Sequence, residues 1–173
     1  MAEELWGRRP LPPPGPDAVI LGRWEPATLG ELTAGRRRLA QLLQADGRPA
    51  GVDPGAVERL LIAFEELGSN GLRHGGSPVR VTVIADDRHW LLDVSDAAGD
   101  RPPVPAVDRD AAHGGLGLYL VARICGAHGW TVDDDGRKHV WARIDRTRAE
   151  APSSAWAAVP RPRGPRSGRD RHR

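Results

Sequence analysis

A chain of 173 residues is long enough for one sizeable core and too short for two ordinary domains. Its formal charge of +2 is unevenly placed. From Arg146 to Arg173 eight arginines stand against only Glu150 and Asp170, so that end carries +6 and the remainder −4. Nucleic-acid binding needs positive charge on the folded surface and a recognition motif, and neither is present, so direct nucleic-acid contact is not expected.

Residues 1–16 read as a disordered leader, because Pro10, Pro12, Pro13, Pro14 and Pro16 block a helix and remove ladder donors. Residues 18–24 form a short apolar stretch suited to a first strand. Pro26 suits the first turn of a helix that runs to about Ala45, with Leu29, Leu32, Leu39, Leu42 and Leu43 on its apolar side. Arg36, Arg37 and Arg38 are its solvent face, or a contact for an acidic partner. Residues 46–51 are a linker. Asp53 followed by Pro54 reads as an N-cap with proline at N1, opening a second helix that runs to about Arg73.

The second helix buries Val57, Leu60, Leu61, Phe64 and Leu67. It also carries Glu66, Asn70 and His74 at spacings of four, which stacks a carboxylate, an amide and an imidazole on one face. Taken alone, that row is either a solvated or capping network or a site. Glu65 points about 100° away from Glu66 and reads as helix surface. Gly68 and Gly71 lower helix propensity, so they either allow close approach of another element or a ligand, or mark frayed packing.

Residues 75–78 turn the chain into a strand in which Val79, Val81 and Val83 alternate with polar residues. Asp86 and Asp87 turn it again into a strand over residues 90–94, with Asp96 just past its end. Residues 97–113 form a long proline-bearing loop, of the length that lids and ligand-binding segments have. Gly114, Gly115 and Gly117 then lead into a helix with Leu118, Leu120, Val121, Ile124 and Cys125. Helix N-termini expose unpaired N–H groups, and glycine lets a phosphate approach them. Cys125 is the one cysteine, which excludes an intramolecular disulfide and gives no zinc spacing; it reads as core. Residues 130–132 and 138–144 are the last strands, joined by a tight turn over residues 133–136, with Trp141 on the face opposite Val140, Ala142 and Ile144. Residues 146–173 read as a disordered basic tail, in which Trp156 is an inert residue or a small partner anchor. A single domain over residues 17–145 remains. Its element order predicts a two-layer α/β sandwich: a mostly antiparallel, mixed sheet with helices on one face.

The row Glu66, Asn70, His74 followed by Gly75, then Val94-Ser95-Asp96, then Gly115-Leu116-Gly117-Leu118, then Gly136-Arg137-Lys138-His139-Val140-Trp141, resembles the Bergerat-type ATP-binding fold. That fold is shared by histidine kinases, type II topoisomerase B subunits, the ATP-dependent heat-shock chaperones and the MutL repair proteins. Within it the chain looks most like the small anti-sigma-factor serine/threonine kinases and the actinobacterial single-domain proteins similar to them. The likeness covers residues 19–145. It implies that Asn70 coordinates Mg²⁺, that Glu66 is the general base, and that Asp96 accepts the adenine amino group. It further implies that Gly115, Leu116 and Gly117 receive the phosphates through their backbone and that Lys138 neutralises a phosphate, although a strand-edge charge would also explain Lys138. His113 touches a phosphate or solvent; His74 either reaches a phosphate or caps and packs the helix end. The sequence departs from the family's aspartate-x-glycine-x-glycine at Ala98 and Asp100. ATP and Mg²⁺ are thus the implied cofactors. A sigma factor and a small antagonist protein are the implied partners, with a possible homodimer, no membrane contact and a cytoplasmic location. The alternative is a partner-binding regulator that uses ATP as a conformational ligand or has lost it.

Overall fold

The computed structural model describes residues 5–45, 52–103 and 116–147. The expected linker 46–51, the loop residues His113, Gly114 and Gly115, and the tail with Trp156 lie outside the described residues. Five strands and three helices follow the predicted order: β1 Val19–Trp24, α1 Leu29–Ala45, α2 Pro54–His74, β2 Arg80–Ala85, β3 His89–Asp96, α3 Leu116–Ile124, β4 Ala127–Val132 and β5 Lys138–Asp145. The sheet order is β1-β2-β3-β5-β4, and every neighbouring pair of these strands is antiparallel.

Local chemistry sets the helix ends. Thr28, not Pro26, opens α1: its Oγ1 accepts the Glu31 N–H at 3.2 Å, and the Glu31 carboxylate accepts the Ala27 N–H at 2.7 Å. Asp53 caps α2 as expected, accepting the Gly55 N–H at 3.3 Å, with Pro54 at the first position. At the other end the Gly75 N–H reaches the Gly71 carbonyl at 2.8 Å.

α2 is the central helix. Leu60, Ala63, Phe64 and Leu67 are all but fully buried, and they meet Val81, Val83, Leu92, Val94, Val140, Ala142 and Ile144 of the sheet. Gly68 faces α1: a Cβ there would lie 2.5 Å from Leu32 Cδ1, so the two helices pack closely only because the side chain is missing. The glycines of α2 therefore serve the approach of neighbouring elements. Two expectations about helix surfaces are corrected. Arg36 is half-buried and donates to the Leu61 carbonyl at 3.3 Å, while Arg37 and Arg38 are exposed. Glu65 is not free surface either: it turns to α1 and accepts Thr33 Oγ1 at 3.4 Å.

The leader is corrected as well. Trp6 is 1% exposed, its Nε1 donates to the Leu118 carbonyl at 3.0 Å, and its ring lies 4.7 Å from that of His128. Residues 7–9 pair with the outer edge of β4, through Trp130 N–H to the Gly7 carbonyl (3.3 Å) and Arg9 N–H to the Trp130 carbonyl (2.9 Å). An open sheet edge offers unpaired N–H and C=O groups, and the prolines begin only at Pro10, so the preceding residues are free to bond to it. Trp141, on the sheet face away from the helices, is covered by the same segment and donates to the Arg9 carbonyl at 3.2 Å. The C-terminal boundary also moves outward from Asp145. Arg146 bonds Arg88 and Asp53 through its backbone at 2.8 Å each, contacts the Asp86 carbonyl, and lies over Trp90.

On that same outer face His139 is held between two carboxylates, with Nδ1 3.0 Å from Asp93 and Nε2 3.2 Å from Asp133. The Asp93 hydrogen bond raises the His139 pKa from its ordinary value, burial opposes the rise, and the Asp93 and Asp133 charges add to it. A raised folded pKa stabilises the fold fully below the unfolded value of 6.5, and this stabilisation is lost as pH rises through the folded value. His139→Gln is therefore expected to lower the unfolding midpoint more at about pH 5.5 than at about pH 9, measured by denaturant unfolding. An equal loss at both would show that the imidazolium contributes nothing.

Candidate nucleotide-binding site

The C-terminal half of α2 lies between two other pieces of chain. On one side is the N-terminus of α3. A Cβ on Gly117 would collide with the Glu66 carboxylate, so the sequence places glycine where α3 comes against that acid. Leu116 opens the helix with its side chain half exposed. The first turn of a helix carries N–H groups without intrahelical partners, so Glu66 stands beside a ready anion-binding end. On the other side is the end of β3. A Cβ on Gly75 would lie 2.6 Å from the Asp96 carboxyl carbon, so the end of α2 abuts Asp96. Asn70, half-buried, sits between these flanks, roughly 6 Å along the helix from Glu66. Neither Asn70 nor the Glu66 carboxylate has a hydrogen-bond partner among the described residues. His74 is exposed and makes no cap; the Gly75 backbone does that instead.

Asp96 is the last residue of β3, not one beyond it, and is 2% exposed. Its Oδ1 accepts the N–H groups of Ala98 (2.8 Å) and Gly76 (3.3 Å), and its Oδ2 lies 3.3 Å from Lys138 Nζ. Lys138 faces Asp96 directly in the β3–β5 register, is 3% exposed, and also donates to the Arg101 carbonyl at 3.0 Å. Its place is therefore the Asp96 end of the site. The strand-edge explanation for Lys138 does not hold, because β5 is paired on both sides. Ala98 is buried, and its backbone holds Asp96.

Residues 26–144 match the family model of the histidine kinase-like ATPase domain. The chain belongs to that family. No curated protein matches the chain.

The residues of this ATPase-type domain fit a magnesium nucleotide. Gly117 has no room for a side chain beside Glu66, the Asn70 amide has no hydrogen-bond partner among the described residues, and a glycine-flanked carboxylate stands at the far end. Among the described residues no group of three or more His, Cys, Asp or Glu side chains could cage a metal. Asn70 is the residue that would hold an ion, and its neutral amide oxygen is a ligand type that suits Mg²⁺. A separate open cavity of about 660 Å³ lies between the start of α2 and the end of α3, lined by Asp53, Arg59, Arg123, Cys125 and Asp145; it contains none of the site residues. Burial pushes the Cys125 thiol up to about 11, in keeping with a packing role. No described helix is long and apolar enough to cross a membrane.

The Asp96–Lys138 pair was not foreseen from the sequence. The signal for it is the antiparallel register itself, because pairing Val94 with Val140 places the two charges opposite each other.

Proposed function

We propose that this ATPase-type domain is a regulatory protein serine/threonine kinase of the anti-sigma-factor type, which phosphorylates a small antagonist protein. The observation that carries the proposal is the Glu66 carboxylate set against Gly117 at the start of α3. A carboxylate beside a helix N-terminus supports the reading of a base next to bound phosphates. MgATP, when bound, supplies the phosphoryl group. Asn70 would hold the ion, and the first-turn N–H groups of α3 would receive the phosphates. Glu66 would take the proton from a serine hydroxyl as that hydroxyl accepts the γ-phosphoryl group and the bond to the bridging oxygen breaks, releasing ADP. Asp96 would accept a hydrogen bond from the amino group of the base. The added charge then weakens the complex with the antagonist. The exposed Arg37 and Arg38 of α1 offer a separate surface for an acidic patch on a sigma factor.

The burial of Asp96 against Lys138 favours a second reading, in which ATP is a conformational ligand without turnover, or is no longer bound. Incubation with γ-labelled ATP, Mg²⁺ and a candidate antagonist separates the two. Label on an antagonist serine supports the kinase. Bound MgATP with no transfer and no ADP leaves the conformational reading.

A further inference from the structure

Six large apolar side chains are exposed among the described residues, and three of them, Leu116, Tyr119 and Leu120, share one face of α3 at i, i+3 and i+4. Arg123 continues the row by one turn, with its guanidinium 5.7 Å from the Tyr119 ring. Single apolar side chains on a surface need no explanation, but a contiguous stripe marks a contact surface. The side chains of this stripe take no part in the chemistry proposed for Glu66, Asn70 and Asp96.

The chain itself supplies an occupant. The described residues end at Thr147, which lines the same open cavity as Arg123. Through Arg123 the stripe thus runs to the point where the C-terminal tail leaves the fold. Trp156 stands nine residues further on, in the run Ala155-Trp156-Ala157-Ala158-Val159, and no Ala, Val or Trp follows that run. Nine residues reach at most about 30 Å, whereas the nine residues of α3 are about 13 Å long, so the indole has the whole stripe within reach. We propose that residues 155–159 of the tail dock on the α3 stripe, with the Trp156 indole over Tyr119 and Leu120.

The run suits that surface. An indole brings a large apolar area on few rotatable bonds, and the alanines beside it let the backbone lie close to the helix. Arg123 at the end of the stripe is a cation for an aromatic face. The tail's arginines lie outside the run, so docking buries none of its charge. A second copy of the chain would have to find the stripe by diffusion. A segment on so short a linker meets it at an effective concentration on the order of millimolar, which populates even a weak contact.

The test carries Trp156→p-benzoylphenylalanine in the full chain, irradiates it and maps the links by mass spectrometry. Links to residues 116–123 of the same chain are expected, and Leu120→Asp should lower their yield about fivefold or more. Leu120 faces water, so this substitution leaves the fold intact. Leu29→Asp, at an equally exposed side chain on α1, should leave the yield unchanged. Links to any other part of the chain, links that join two chains, or no links at all overturn the proposal. A yield that Leu120→Asp does not lower overturns it as well.

Discussion

Glu66→Gln is expected to slow phosphoryl transfer by about 10²–10⁴-fold while MgATP affinity stays within about threefold of wild type. Glutamine keeps the shape and one carbonyl acceptor but cannot take a proton. The contact with Gly117 is therefore preserved and the chemistry is not. Rapid-quench measurement of labelled antagonist gives the rate, and calorimetry gives the affinity. The division between the two numbers matters more than the loss alone. If affinity falls as far as rate, Glu66 binds and does not act as a base. If the rate is unchanged, another group takes the proton.

Trp6→Ala is expected to cost about 3–5 kcal/mol of stability, the range for removing a large aromatic side chain from a packed interior. Trp6 is 1% exposed and also gives its indole N–H to the Leu118 carbonyl, which would lose this contact. Chemical denaturation of the full chain checks the figure, and a change under about 0.5 kcal/mol would mean that residues 5–9 are not part of the fold. The effect should reach the site. Leu118 is adjacent to Gly117, so loosening the Trp6 anchor frees the end of α3 that faces Glu66. Nucleotide affinity is accordingly expected to fall in Trp6→Ala.

Much of this architecture was legible from side-chain period. α2 announced itself by Asp53-Pro54 and by Leu60, Phe64 and Leu67, and the alternation of Val81 and Val83 located β2. The row Glu66 and Asn70 was readable because a helix stacks residues four apart. Contacts made by single residues at long range were not readable. Trp6 meets Leu118 across 112 positions, and no local pattern marks such a pair. Lys138 was assigned to phosphate or a strand edge because the strand order β3-β5-β4 decides its neighbours, and a chain read in sequence does not reveal that β5 inserts beside β3. The proline count likewise concealed that residues 7–9 bond to β4 before the first proline. Glu65 was misplaced for a related reason: helix angle separates it from Glu66, but only the position of α1 shows that the direction it takes is not toward water.

Binding of a magnesium nucleotide by α2, the end of β3 and the start of α3 together is checked by calorimetric titration of ATP into the full chain, with and without Mg²⁺, alongside Asn70→Ala. Wild type should bind ATP more tightly with Mg²⁺ than without, and Asn70→Ala should lose that increment while keeping the magnesium-free affinity. Absence of ATP binding by the folded wild-type chain in the presence of Mg²⁺ would contradict the account.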